Sequence, residues 1–189
     1  MLEVKLYDNS QKEFLEEFCA QMKNDGFMPW SSLERLRVNK TTYFIVYHKN
    51  KIIAINGTYK GNDDTWFPCT RTGCLKAYRN YLVPTKTFAS TTIPIKLLWL
   101  PCLQYALDKG AQKLVAHLNF KNTDTGSSQY YSKKTERLIK LGLIEYDGIE
   151  KINGIYQDKF ILLMPSFKNW LQQLNDEPII IRKQYYESI

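Results

Sequence analysis

Between Val83 and Leu143 the hydrophobic period of the chain switches repeatedly, and that alternation restricts the available folds more than any other feature. The segment reads as strand, hydroxyl-rich loop (Thr87-Phe88-Ala89-Ser90-Thr91-Thr92), helix, strand, asparagine-bearing loop and helix, closing on Lys140-Leu141-Gly142-Leu143. Ile93 to Lys109 has helical spacing, with Pro94 in the first turn, where its missing N–H costs nothing, and Gly110 as the stop. Leu100, Leu103 and Leu107 form its expected inner stripe. Pro101 lies inside the helix, removes one backbone hydrogen bond and should kink or split it. Lys113 to Leu118 reads as a strand and Ser128 to Leu141 as the next helix.

The flanks are simpler. Leu2 to Tyr7 alternates as a strand does, and Ser10 with Glu13 spells a capping box before a helix whose stripe is Phe14, Leu15, Phe18, Cys19 and Met22, closed by Gly26. Ser31 with Glu34 repeats the capping signal before a short helix, with Trp30 placed as a staple. Thr42 to Tyr47 and Ile52 to Tyr59 surround a short polar turn and predict a hairpin. Gly61-Asn62-Asp63-Asp64 is a second turn, leading into Thr65 to Leu75, which Pro68 and Gly73 mark as bulged. Lys76 to Val83 reads as a strand. Glu145 to Asn153 and Gln157 to Met164 give two more strands, followed by a helix from Ser166 to Leu174 and an extended Ile179 to Arg182. The expectation is an α/β fold with a mixed, largely antiparallel sheet flanked by helices. It forms one domain over residues 1–189, with 165–189 as a C-terminal extension.

Charge and composition narrow the partners only a little. The net charge of +7 favours acidic ones, but Lys49/Lys51, Arg71/Lys76/Arg79, Lys133/Lys134/Arg137/Lys140 and Arg182/Lys183 are scattered, as on a solvated face. Arg71, Lys76, Tyr78, Arg79 and Tyr81 interleave cations with aromatic rings, a pattern that suits nucleic acid and equally a protected edge strand. The 4 cysteines (Cys19, Cys69, Cys74, Cys102) and 2 histidines (His48, His117) lack the spacing of a metal site, so buried, reduced thiols and no metal are expected. His48 in a turn and His117 within a strand read as ordinary core or surface histidines. No apolar run approaches the roughly 20 residues that span a bilayer, and the polar start (Glu3, Lys5, Asp8) lacks a signal-peptide pattern. A cytoplasmic protein without membrane contact is the expectation. Oligomeric state is open.

Three local runs carry a family resemblance. Tyr43 to Tyr59 includes Lys51-Ile52-Ile53-Ala54; Ile95-Lys96-Leu97-Leu98 runs through Leu107-Asp108-Lys109-Gly110 to Lys113-Leu114-Val115; and Leu138-Ile139-Lys140-Leu141-Gly142-Leu143 closes a helix. In this order and spacing they resemble the GNAT N-acetyltransferase superfamily, over about Leu2 to Met164 and as a divergent member. The resemblance implies a GNAT-like sheet in which a central strand splays from its parallel neighbour to admit acetyl-CoA. It also implies an acyl-CoA-dependent N-acyltransferase that moves an acetyl group to an amine, here of unknown identity. The alternative is a catalytically inactive GNAT-like binding or structural module, with nucleic acid among its possible partners.

The implied site residues follow. Val83-Pro84 stands for the family's "V-x-P", and Ser90, Thr91 and Thr92 lie where loop glycines cradle the pyrophosphate. Their hydroxyls can donate to phosphate oxygens, or simply cap the helix that Ile93-Pro94 begins. Lys86 is the cation nearest that loop. Asn119 and Asn122 stand where an asparagine contacts the pantetheine arm. The family's thiolate-protonating tyrosine falls on Leu138, which leaves Tyr130 and Tyr131, two turns earlier, as the catalytic candidates.

Overall fold

A computed structural model describes residues 2–26, 40–79, 81–83, 91–119, 135–152, 155–175 and 180–181. Its centre is a seven-stranded sheet formed by β1 (Leu2–Leu6), β2 (Thr42–His48), β3 (Lys51–Lys60), β4 (Thr65–Cys74), β7 (Lys113–Asn119), β8 (Ile144–Ile152) and β9 (Ile155–Leu162). The spatial order is β1-β2-β3-β4-β7-β9-β8. Every neighbouring pair is antiparallel except β4 and β7, the parallel pair that needs a helical crossover. A separate three-stranded sheet joins β5 (Tyr81–Val83) to β6 (Thr91–Thr92) and β10 (Ile180–Ile181).

The helices divide between the two faces of the large sheet. Helix α1 (Lys12–Asn24) sets Leu15, Phe18, Cys19 and Met22 against Tyr43, Ile45, Ile52 and Ile55. Helix α2 (Leu100–Asp108) covers the opposite face with Leu103 and Ala106, beside Trp66, Leu114 and Phe160. Helix α4 (Ser166–Asn175) joins that second cluster through Phe167, Trp170, Leu171 and Leu174, so this helix is built into the core. Between α2 and α4 in sequence, 135–140 is helical (α3).

Glycine ends two of these helices by the same device. At α2, Ala111 N–H donates to Ala106 C=O and Gly110 N–H to Leu107 C=O, with Gly110 at φ +84°. At α3, Leu143 N–H donates to Leu138 C=O and Gly142 N–H to Ile139 C=O, with Gly142 at φ +66°. Each pair is a Schellman motif, which glycine enters without steric cost. The β2–β3 turn places Lys49 and Asn50 at φ 50° and 59°, the double positive φ of a two-residue hairpin whose twist matches its strands.

Several expectations need correction. The capping box before α1 belongs to Asp8 and Gln11, not to Ser10 and Glu13. Ser10 N–H donates to Asp8 Oδ1 at 2.8 Å, and Asp8 N–H donates to Gln11 Oε1 at 3.1 Å. That box opens a 3-10 turn over Asn9–Gln11, so α1 begins one residue later than the pattern suggested. Lys76 to Val83 is not one strand: Lys76–Tyr78 is a 3-10 turn and only Tyr81–Val83 is extended. The helix from Ile93 is split as Pro101 required. Its backbone takes the wider π spacing over Pro94–Trp99 and becomes α from Leu100. Pro101 has no N–H for the carbonyl of Leu97, so the change of spacing falls beside it. The wider turn also moves the buried stripe: Leu98, Cys102, Leu103 and Ala106 are buried, while Leu100 and Leu107 are only partly so. The Ser31–Glu34 capping box, Trp30 and Asn153-Gly154 lie outside the described residues.

The described thiols are buried, which sets an alkaline limit on stability. Burial pushes the Cys74 thiol up to about 12, with Arg79 opposing, and the Cys19 thiol up to about 11. Unfolding returns both to near 9. Between those values the unfolded chain holds fewer protons than the folded one, so stability falls as pH rises. The thermal midpoint should therefore be flat up to about pH 9 and decline above it. The decline should be shallower for Cys74→Ala.

Candidate functional site

The parallel pair β4–β7 is where the sheet opens. Thr65 pairs with Lys113 and Trp66 with Leu114; beyond them no β4–β7 pairing follows among the described residues, although β4 runs on to Cys74 and β7 to Asn119. Strand β4 turns away because it is irregular. Its register against β3 shifts between Ile55 and Gly57 and again between Gly57 and Tyr59, and Arg71 sits at φ 51°. Extra residues on one strand bend it and raise its local twist. This is the bulging that Pro68 and Gly73 predicted.

A buried polar knot holds the bulge in place. Asn56, fully buried in β3, donates from Nδ2 to Pro68 C=O and to Cys102 Sγ, both at 3.3 Å. Thr72 Oγ1 donates to Asn56 Oδ1 at 2.6 Å, and Cys102 Sγ–H donates to Asn56 C=O at 3.7 Å. One amide thus ties the bulged strand to β3 and to α2. The carbonyl that the irregular strand cannot pair finds a donor, as a buried carbonyl must.

Across the opening, on the face that α1 shares, lies a run of rings and charges. Tyr59 and Phe67 stack at 4.7 Å, and Phe67 stacks on His117 at 5.3 Å, linking β3, β4 and β7. Gly61 makes room for this stack, because a Cβ there would come within 2.6 Å of Phe67 Cε2. His117 Nε2 lies 3.1 Å from Glu150 Oε2. Lys159 Nζ is 3.8 Å from Glu150 and 3.1 Å from Asp147, which Lys113 also approaches at 3.8 Å. The His117 side chain is 9% exposed and that of Glu150 48%.

The start of the crossover helix stands at the C-terminal end of β4, where Ile93 and Leu98 pack with Cys74 and Ala54. Lys96, on the π turn, is only 4% exposed. Val83, Thr91 and Thr92 are brought together immediately before that helix, Val83 opposite Thr91 and Leu82 opposite Thr92. They stand on a small separate sheet; the strand that leaves its parallel neighbour is β4, which ends at Cys74. Thr91 and Thr92 are therefore strand residues, and Ile93 directly precedes the π turn. Asn119 is the last residue of β7. Ser90, Lys86, Asn122, Tyr130 and Tyr131 lie outside the described residues. Leu138, at the family's tyrosine position, is partly buried against the α2–α4 cluster.

Sequence reasoning missed Asn56 and the His117–Glu150 pair. Asn56 had a signal, a polar residue within the apolar Ile52–Tyr59 run. The pair had none, since β9 lies between their strands. Of the basic–aromatic run, Arg79 donates from Nε to Cys74 C=O at 2.8 Å and the Tyr78 ring sits 5.8 Å from that of His48, so both serve internal packing. Among the described residues there is no group of three or more His, Cys, Asp or Glu arranged to hold a metal ion. None of their helices is long and apolar enough to cross a membrane.

The same architecture recurs in solved structures. A protein from Desulfovibrio desulfuricans named as a GNAT-family acetyltransferase superposes with a TM-score of 0.54 at 7% identity, covering 86% of this chain and 98% of its own. An aminoglycoside N-acetyltransferase gives 0.53 at 8%, covering 88% and 99%. A protein from Staphylococcus epidermidis ATCC 12228 named as an acetyltransferase gives 0.51 at 15%, covering 86% and 97%. No family model and no curated protein matches the sequence. The chain has the GNAT fold: a mixed, largely antiparallel sheet, flanked by helices, that opens between its two parallel strands.

Proposed function

We propose that this protein is an acyl-CoA-dependent N-acyltransferase that transfers an acetyl group from acetyl-CoA to an amine. The observation that carries the reading is the parting of β4 from β7 after Trp66 and Leu114. Among the described residues the two strand edges then run on without pairing to each other, and their backbone groups suit a slender ligand that bears amides of its own. The fold shared with three acetyltransferase-named structures supports the same reading.

In the proposed reaction the amine nitrogen attacks the thioester carbonyl. A C–N bond forms, the C–S bond breaks, the amine loses a proton and the coenzyme A thiolate gains one. The enzyme contributes orientation and a proton route. The pyrophosphate is assigned to the start of the crossover helix, where free N–H groups and the positive dipole end favour anions, with Val83, Ser90, Thr91 and Thr92 around it. Asn119 and Asn122 are assigned to the pantetheine amides, and Tyr130 and Tyr131 to protonation of the thiolate. The site is expected to need no metal.

Thermal unfolding with and without acetyl-CoA tests this. At 100 times its Kd the ligand should add about 2.7 kcal/mol of stability, with coenzyme A acting similarly. An unmoved midpoint at millimolar concentrations of both would end the acyltransferase reading.

A further inference from the structure

We infer that His117, held by Glu150, is the general base that takes the proton from the attacking amine. The inference rests on the acyl-transfer reading and assigns one of its steps to a residue. His117 stands on β7, one of the two strands bordering the opening, and on the face away from α2, because Leu114 and Ala116 point to the α2 cluster and strand side chains alternate. Its ring is fixed from two directions, by Phe67 stacked at 5.3 Å and by Glu150 at 3.1 Å from Nε2. A carboxylate only accepts, so Nε2 carries the hydrogen in this contact and Nδ1 is left as the basic atom. This is the arrangement in which a carboxylate selects the tautomer of an imidazole and steadies the charge that it acquires.

Other charges on that face qualify the pair without displacing it. Lys159 shares Glu150 from β9 at 3.8 Å and is itself drawn closer to Asp147, at 3.1 Å, which Lys113 also approaches. Glu150 therefore remains the carboxylate nearest His117. In the step itself, Nδ1 accepts the amine proton, directly or through one water, as the C–N bond forms. The imidazolium then gives that proton to solvent once the thiolate has left. Glu150 is a positioning residue and does not take the proton.

The test combines acetyl-CoA binding, followed by thermal shift, with release of the coenzyme A thiol across pH 5–9. Acceptors would be water, a polyamine, an aminoglycoside and a lysine peptide. His117→Gln should bind acetyl-CoA as the parent does, lose about 100-fold or more in turnover and lose the acidic limb of the pH profile. Glu150→Gln, at an exposed position that folding tolerates, should bind acetyl-CoA as the parent does and lower kcat rather than raise KM, since the ring loses the carboxylate 3.1 Å from Nε2 that orients it. A His117→Gln protein that retains both rate and limb overturns this inference and leaves the acyltransferase reading standing. A parent that binds acetyl-CoA yet releases no thiol with any acceptor overturns this inference and the acyltransferase reading together, and identifies a binding module. A parent that binds no acetyl-CoA overturns both readings.

Discussion

Asn56→Leu is expected to lower the stability of the folded protein by about 3 kcal/mol, which for a domain of this size moves the thermal midpoint down by roughly 6–12 °C. Leucine keeps the volume but offers no donor to the buried Pro68 carbonyl and no acceptor to the Thr72 hydroxyl. An unsatisfied buried carbonyl costs more than an ordinary hydrogen bond contributes, because its desolvation is no longer offset. In Asn56→Leu the Thr72 hydroxyl, near solvent, can turn to water, whereas Thr72→Val leaves the buried Asn56 Oδ1 without its donor and should cost about 1–2 kcal/mol. The double mutant should cost less than the sum of the two singles, as residues sharing one network do. Calorimetry of the four proteins measures this. A midpoint unmoved in Asn56→Leu would mean that the bulge in β4 holds itself, and that the amide is incidental.

The second large effect concerns the ligand. Ser90→Glu places a carboxylate where the pyrophosphate is assigned, and like charges at the mouth of a helix repel strongly once water is thinned out. The expected result is loss of the whole acetyl-CoA-dependent shift, about 2.7 kcal/mol at 100 times Kd, with little change in the unliganded midpoint. Isothermal titration of the parent and variant would give the same answer as a ratio of affinities. An affinity unchanged by the substitution would show that the phosphate lies elsewhere, with the buried Lys96 on the π turn the next place to look.

The two variants probe different levels of the same site. Asn56 acts on the shape of the opening, because it secures the strand that leaves its neighbour. Ser90 acts on the occupant. His117 and Glu150 concern chemistry within the opening, and their substitutions should spare both the fold and the ligand affinity.

Much of this architecture was legible in the residues. Gly110 and Gly142 mark helix ends because only glycine enters a positive φ without cost, and both end their helices in that conformation. The pairs Lys49-Asn50 and Pro68/Gly73 announced a tight hairpin and a bulged strand for equally local reasons, and Pro101 announced a break. Period and turn chemistry act within a few residues, so they survive in a linear reading. The capping box slipped from Ser10/Glu13 to Asp8/Gln11 because two overlapping signals competed, and a 3-10 turn decided between them.

What the sequence determined by itself was therefore the order of the main-sheet strands along the chain, the two glycine-marked helix ends and the irregularity of β4. Each depends on backbone preferences that a residue carries wherever it sits. Only the tertiary structure decided where the sheet opens, since the two-residue β4–β7 pairing joins positions almost fifty apart. It alone set His117 against Glu150 across an intervening strand, and it alone buried Asn56 beneath Cys102 and Pro68. Those contacts arise from strand register and from the face each side chain takes, and register is settled only when the whole sheet assembles.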